Sequence, residues 1–231
     1  MMKNILITSF VIIILISNVY AEDKYTISVA SSLYNVSKEL TKEWEKTNNK
    51  KIITITGSTS LLARQIERGQ KSDIIITANY SWLKWMIDRN LIEENSIKKI
   101  AKNSLVFITG INKNIHLDIN SLKFKDDLIE QISSSKISMP HPSSVPLGIY
   151  SKQALKSLGA WSLIQDKLVF TSSAQSNLKF ISQGEVNIGI SYLSDAILSS
   201  KVKILSYIDN KKFNYDKPTY WAAKINRSNK N

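Results

Sequence analysis

Short runs of β-branched residues alternate with helical patterns along most of the chain. Residues 25–30 alternate in the manner of a strand, and Leu33, Val36, Leu40 and Trp44 then recur at spacings of three and four, which predicts a helix with one apolar face. Residues 73–77 predict a strand apolar enough to be buried on both faces. This alternation is typical of parallel α/β architecture.

The remaining elements form two series, which predicts two α/β lobes. Lobe I is predicted to contain residues 22–103 and 203–231, and lobe II residues 104–202; we expect strands at 202–207 and 219–223 to return the chain to the first lobe. Further strands are predicted at 51–56, 104–108, 136–139, 167–170 and 187–191, with helices at 61–68, 81–89, 147–158 and 174–182.

The first 21 residues have the plan of a secretory signal peptide. Lys3 precedes an apolar run at 5–16, and small residues lead to Ala21, after which we expect cleavage. The run is too short to span a bilayer comfortably. The chain has no Cys, so neither a disulfide nor a lipid-bearing cysteine is expected. The prediction is a free periplasmic protein.

The charge balance is strongly basic, with 31 Lys and Arg against 19 Asp and Glu. Such an excess attracts anions or marks a nucleic-acid binder. Here the basic residues are scattered among Asn, Glu and Asp, and exported proteins rarely meet nucleic acid. We therefore expect mostly solvated surface charge, some help in anion capture, and no nucleic-acid partner.

Motifs for catalysis are sparse. His116 and His141 are the only histidines, and neither has the spacing of a metal site. The sequence has no nucleophile elbow, no phosphate-binding glycine loop and no dinucleotide fingerprint. The sequence therefore favours a binding protein without a cofactor over an enzyme.

Hydroxyl or small residues recur where a predicted strand is followed by a helix. They occur at residues 31–32, 58–60, 146–147 and 172–174. Helix N-termini present unpaired backbone N–H groups and a partial positive charge, and in parallel α/β folds they gather at one edge of the sheet. Four converging N-termini would bind a dianion without a cationic side chain. Taken singly, each hydroxyl is also an ordinary N-cap, and Tyr192 is equally compatible with a core aromatic.

Several ordered blocks resemble the periplasmic molybdate-binding proteins of molybdate ABC importers. The resemblance extends from about Tyr25 to Ala223. The blocks are VASSL at 29–33, GSTSLLARQI at 57–66, SDIIITA at 72–78, VPLGIY at 145–150, LGAW at 158–161 and GISYLSDA at 189–196.

The resemblance implies a two-lobed type II periplasmic binding fold, with a mainly parallel sheet in each lobe and the ligand in the cleft between them. It also implies an oxyanion held by side-chain hydroxyls, backbone amides and a tyrosine hydroxyl. The implied ligand residues are Ser32, Thr59, Leu147, Ala174 and Tyr192, with Ser31, Ser58 and Ser60 as possible neighbours. Thr59 stands where members of this family usually have serine, and Leu147 stands where they usually have a small residue. Both differences are expected to affect which oxyanion the site selects.

The implied function is capture of molybdate or tungstate by a monomer that delivers the ion to the permease subunits of an ABC importer. Sulfate and phosphate remain alternative ligands. Members of this family usually continue beyond the strand at 219–223 with two closing helices, whereas this sequence has a polar tail. A shortened copy that has lost affinity and acts as an interaction protein is therefore a further alternative.

Overall fold

The computed structural model describes residues 24–226. The predicted signal peptide and its cleavage point after Ala21 lie outside the described residues. The strands are β1 (Lys24–Ala30), β2 (Lys51–Gly57), β3 (Ile74–Thr77), β4 (Lys98–Lys102), β5 (Leu105–Gly110), β6 (Ile137–Pro140), β7 (Leu168–Thr171), β8 (Ile188–Tyr192), β9 (Val202–Ile208) and β10 (Thr219–Lys224). The α-helices are α1 (Tyr34–Asn48), α2 (Thr59–Glu67), α3 (Tyr80–Ile87), α4 (Phe124–Ser133), α5 (Pro146–Ser157), α6 (Trp161–Ile164), α7 (Ala174–Ser182) and α8 (Leu193–Ile197). Short 3₁₀ turns occupy Ser31–Leu33, Glu94–Ser96 and Gln165–Lys167.

Two five-stranded sheets organise the described residues. The first has the order β2-β1-β3-β10-β4 and the second β7-β6-β8-β5-β9. In the first sheet β1 is parallel to β2 and β3, while β10 is antiparallel to β3 and β4. In the second, β6 is parallel to β7 and β8, while β5 is antiparallel to β8 and β9. Each sheet thus has one reversed strand, and the predicted mainly parallel, two-lobed α/β fold is confirmed.

One strand pairs differently from the prediction. Residues 202–207 were expected to return to the first lobe, but β9 pairs antiparallel with β5 in the second sheet, where Val202, Ser206 and Ile208 are buried. The return is made by β10 alone. The pairing of β9 joins segments about one hundred residues apart in sequence, so local periodicity does not reveal it. The exact residue limits of the lobes stay a prediction.

Two segments connect the lobes. Residues 103–104 join β4 to β5, and residues 209–218 join β9 to β10. Both segments run from one sheet to the other, so relative movement of the lobes has to be absorbed near them.

The lobes differ in the size of their buried cores. The second lobe has a large cluster of buried apolar residues that includes Phe107, Leu128 and Met139, and a smaller one around Ile181. The main cluster of the first lobe is smaller than the large one and includes Leu83 and Met86. The apolar face predicted for α1 exists, but it points to solvent: Val36 is 43% and Leu40 60% exposed. Helix α1 instead turns Ser37 inward.

Candidate functional site

The predicted ligand residues converge on one cavity between the two lobes. The lining comes from the N-terminal ends of helices in both lobes and from the ends of the adjacent strands. The lining residues are Ala30, Ser31, Ser32, Ser58, Thr59, Ala78, Val145, Pro146, Leu147, Ala174 and Tyr192. All five implied ligand residues are in this set, together with Ser31 and Ser58, whereas Ser60 is not.

Ser32 and Thr59 bring side-chain hydroxyls from the first lobe. Ser32 lies in the 3₁₀ turn after β1, and Thr59 is the first residue of α2. The Tyr220 hydroxyl donates to Ser32 Oγ at 2.8 Å, and the Ala78 backbone N–H donates to Thr59 Oγ1 at 3.1 Å. Each hydroxyl already accepts one hydrogen bond, so each has its own proton to donate to an acceptor in the cavity.

Ser58 and Ser60 have local roles. Ser58 is the N-cap of α2, because its Oγ accepts from the Leu61 backbone N–H at 3.4 Å, and it also lies 3.1 Å from Ser60 Oγ. The N-cap interpretation of the sequence therefore holds for Ser58. Thr59, the next residue, turns its hydroxyl towards Ala78 and the cavity.

The second lobe presents the first turns of α5 and α7. Pro146 is the first residue of α5 and Leu147 the second; Ala174 is the first residue of α7, after the N-cap Ser173, which forms a capping box with Ser176. Backbone N–H groups in a first helical turn have no acceptor within the helix. The amides of Leu147 and Ala174 are therefore suited to an anion in the cavity, which the positive ends of the helix dipoles also favour.

A glycine brings the start of α5 close to the end of β6. A Cβ atom at Gly148 would lie 2.3 Å from the backbone oxygen of Pro140 and 2.5 Å from that of His141. No side chain fits in that space, so Gly148 fixes where the Leu147 amide points.

Tyr192 contributes a buried hydroxyl without a partner. The residue is 1% exposed, it lines the cavity, and its Oη has no hydrogen-bond partner in the protein. A buried hydroxyl without a partner costs about 1–3 kcal/mol, so an acceptor bound in the cavity would remove a real penalty. Burial raises the pKa of Tyr192 well above its ordinary value, with smaller contributions from Tyr220, Tyr150 and Asp195. The hydroxyl is therefore a neutral donor at physiological pH.

Asp195, three residues after Tyr192, is a buried carboxyl that the sequence did not single out as a site residue. It is 4% exposed, its Oδ2 has no partner in the protein, and burial raises its pKa to about 7. Tyr220 and Asn103 were also missed, although both contact the hydroxyl network of the site. Asp195 lies in the segment 189–196 that resembles molybdate-binding proteins, so the resemblance could have indicated it. Tyr220 and Asn103 belong to no motif that would indicate a site residue.

The cavity is narrow and lacks positive side chains. The centre of a water-sized sphere can move within only about 10 Å³ of it, so the cavity admits only a small guest. Among the described residues that line it, none is Lys, Arg or His. The attraction for an anion has to come from N–H and O–H dipoles.

Two hydrogen bonds hold the lobes together beside the cavity. The Trp82 indole N–H donates to the backbone oxygen of Ser144 at 2.7 Å, and the Tyr150 hydroxyl donates to the backbone oxygen of Ala78 at 3.3 Å. Each bond joins one lobe to the other. The structure is therefore a closed arrangement.

A larger cavity lies beside the connecting segment 209–218 and has different chemistry. It has a volume of about 580 Å³ and is lined by aromatic and charged side chains that include Tyr80, Trp221, Lys84 and Lys217. Lys84 is already paired with Asp88. The start of α3 lines this cavity, but the starts of α2, α5 and α7, which line the smaller cavity, do not.

Neither a metal cluster nor a membrane span is apparent in the described part of the chain. Residues 24–226 contain no group of three or more His, Cys, Asp or Glu side chains placed to hold a metal ion. Within the same residues, none of the helices combines the length and apolar character needed to cross a membrane.

Comparisons with known proteins agree with this geometry. The family model described as bacterial extracellular solute-binding protein matches residues 25–231. Molybdate-binding protein ModA of Escherichia coli (strain K12) is 30% identical over 188 residues, which cover 80% of this chain and 71% of that protein. The Haemophilus influenzae protein of the same name is 29% identical over 188 residues, covering 80% and 72%. A solved Azotobacter vinelandii periplasmic molybdate-binding protein has a TM-score of 0.72 at 16% identity, covering 87% of this chain and 85% of that one. That last likeness concerns the fold alone.

Proposed function

Because the chain belongs to the family of bacterial extracellular solute-binding proteins, we propose that it captures molybdate or tungstate between its lobes and delivers the ion to an ABC importer. The resemblance found in the sequence blocks is confirmed by the family match and by the molybdate-binding relatives. The observation that carries the proposal is the convergence of hydroxyl and amide donors on one buried cavity.

The donor set suits a fully deprotonated oxyanion. Ser32 and Thr59 have protons to donate, the first-turn amides can only donate, and Tyr192 is a neutral phenol. A protonated oxyanion would need an acceptor for its own proton, and the first-turn amides cannot accept; a hydroxyl that accepted the proton would no longer act only as a donor to the ion. The site therefore discriminates by protonation state as well as by size.

Closure of the lobes is the proposed means of excluding water. The contacts Trp82 to Ser144 and Tyr150 to Ala78 form only when the two lobes meet. We propose that the open protein admits the ion, that closure completes its coordination by donors of both lobes, and that the closed surface engages the membrane permease. The protein acts as a monomer in the periplasm in this proposal.

Sulfate is the second candidate ligand, and the residues at two of the proposed ligand positions favour a smaller ion. Thr59 and Leu147, which stand where a serine and a small residue are usual in molybdate-binding proteins, both line the cavity. Sulfate has shorter bonds to oxygen than molybdate and needs less room. Phosphate is disfavoured, because near neutral pH it carries at least one proton.

Thermal unfolding in the presence of four oxyanions tests the proposal. Mature protein is heated with molybdate, tungstate, sulfate or phosphate, each in excess. A ligand at about one hundred times its dissociation constant adds roughly 2.7 kcal/mol, which is about 5–10 °C for a chain of this size. We expect that shift with molybdate and tungstate. An equal shift with sulfate would reject the molybdate assignment, and no shift with any oxyanion would favour the interaction-protein alternative.

Single substitutions test the proposed ligand residues. Ser32→Ala and Tyr192→Phe each remove one donor to a charged acceptor and should weaken molybdate binding by about 1–3 kcal/mol. Tyr215→Phe is the matched control, because the Tyr215 hydroxyl lies outside the cavity lining and donates to the backbone oxygen of Ile208, at the end of β9. Wild-type affinity in both site variants would refute the assignment.

A further inference from the structure

We propose that Tyr220 and Asn103 are positioning residues, which direct the Ser32 hydroxyl proton into the cavity and do so only while the lobes are closed. This inference rests on the proposed function of the site. It assigns a role to two residues that lie outside the cavity lining, Asn103 in one connection between the lobes and Tyr220 just after the other.

A continuous chain of hydrogen bonds joins Ser32 to the second lobe. The Tyr220 hydroxyl donates to Ser32 Oγ at 2.8 Å, and the Asn103 side-chain amide donates to the Tyr220 oxygen at 3.2 Å. The same amide group donates to Ser194 Oγ at 2.8 Å. The chain therefore runs from the first lobe, through Tyr220 and Asn103, to the residue two positions after Tyr192.

The order of donors in this chain fixes the direction of the Ser32 proton. Asn103 Nδ2 can only donate, so the Tyr220 oxygen accepts from it and the Tyr220 proton is left for Ser32. Ser32 Oγ then accepts, and its own proton is available to the cavity. Tyr220 is buried, and burial raises its pKa well above the ordinary value, which keeps the donating proton in place.

The chain depends on closure because its middle members lie at the two connections. Asn103 lies between β4 and β5, and its Oδ1 accepts from the backbone N–H groups of Ser104 at 2.9 Å and Ser194 at 3.4 Å. Tyr220 is on β10, just after the second connection. Separation of the lobes moves Ser194 away from the first lobe. Asn103 then no longer holds Tyr220, and the Ser32 hydroxyl is free to rotate.

The hydroxyl of Thr59 is oriented within the first lobe alone, unlike that of Ser32. Its Oγ1 accepts from the Ala78 backbone N–H, and both residues belong to the first lobe. The direction of the Thr59 proton is therefore the same in the open and closed forms. The first lobe thus has one donor that is always oriented and one that becomes oriented on closure.

A double-mutant cycle tests the inference, with molybdate as the probe and calorimetry as the measurement. Tyr220→Phe removes the hydroxyl and keeps the ring, so we expect molybdate to bind roughly three- to tenfold more weakly, the range for one lost or misdirected hydrogen bond. In a Ser32→Ala background the same change should cause no further loss, because no Ser32 proton remains to be directed. In a Thr59→Ala background Tyr220→Phe should keep its full effect.

The controls separate positioning from general support of the fold. Tyr215→Phe removes another buried tyrosine hydroxyl and should leave affinity unchanged in every background. If Tyr220→Phe weakens binding equally with and without Ser32, or leaves wild-type affinity, the positioning role is overturned while the proposed function stands. If the wild-type protein binds no molybdate, the proposed function fails and the positioning role fails with it.

Discussion

The two lobes present donors of different kinds to the same cavity. The first lobe supplies the side-chain hydroxyls of Ser32 and Thr59, whereas the second supplies the starts of α5 and α7 and the phenol of Tyr192. A side-chain donor is deleted by one substitution. A backbone donor survives almost any substitution and is lost only when the main chain moves or when proline replaces the residue. The first lobe should therefore respond to changes of side chain, and the second lobe, apart from Tyr192, to changes of backbone.

The largest effect is expected where the start of α5 packs against the end of β6 in the second lobe. Gly148→Ala places a Cβ against the backbone oxygens of Pro140 and His141, so α5 has to shift and carry the Leu147 amide with it. We expect a loss of about 3 kcal/mol or more in the free energy of unfolding, together with weaker molybdate binding. Denaturant unfolding and calorimetry measure the two effects.

Gly57→Ala is the matched control in the first lobe. Gly57 also ends a strand beside the site, but a Cβ there would meet only side-chain carbons at 3.4–3.5 Å, an ordinary contact distance. A loss at Gly57 as large as that at Gly148 would contradict the contrast between the lobes.

The buried carboxyl of the second lobe should make stability depend on pH. The pKa of Asp195 is raised from 3.8 to about 7, so the folded protein binds this proton more tightly than the unfolded chain does. Stability then falls as the pH rises from about 4 to about 7, and the full penalty remains above pH 7. Asp195→Asn lacks this titration. Its free energy of unfolding relative to wild type should rise by about 4 kcal/mol between pH 4 and pH 8, because each unit of the pKa shift corresponds to about 1.4 kcal/mol.

Asp126→Asn is the control for this pH dependence. Asp126 also lies in a first helical turn, that of α4, but it is exposed. Because Asp195 is intact in this variant, the fall in stability that comes from Asp195 should persist. A flat difference between Asp195→Asn and wild type across this range would refute the account of Asp195.

A smaller effect is expected when one backbone donor is removed without moving the helix. Ala174 is the first residue of α7, where proline is tolerated, and the preceding Ser173 has the extended conformation that proline favours. Ala174→Pro should leave the free energy of unfolding within about 1 kcal/mol of wild type and weaken molybdate binding by about 1–2 kcal/mol. Ala174→Gly, which keeps the N–H, should bind nearly as wild type. Equal affinity in the proline variant would show that this amide is not a ligand.

The sequence predicts local elements well and long-range pairings poorly. Helix α7 was predicted at 174–182 and has those bounds, because its capping serine and apolar spacing are both local signals. The prediction that residues 202–207 return to the first lobe was wrong, because β9 pairs with β5 in the second sheet. Helix α4 at Phe124–Ser133 was not predicted. The outward turn of Val36 and Leu40 on α1 depends on what packs against that helix, which periodicity does not report.

In the candidate site too, the residues marked by local sequence patterns were predicted and a long-range contact was not. Strand-to-helix junctions point to the segments that contain Ser32, Thr59, Leu147 and Ala174, and the family resemblance selects these residues and adds Tyr192. The structure brings all five to one cavity. Their part in ligand binding stays a prediction. Tyr220 lies 188 residues from Ser32 along the chain, so its hydrogen bond becomes visible only in three dimensions.

Calorimetric titration of molybdate into the mature protein and into the double variant Ser32→Ala/Thr59→Ala tests the central claim most directly. The wild-type protein should show one saturable site per chain. The double variant, which keeps both helix starts of the second lobe but has lost the hydroxyl donors of the first, should bind at least about thirtyfold more weakly. Absence of saturable heat in the wild type, or equal affinity in the double variant, would contradict the claim that donors from both lobes hold the dianion.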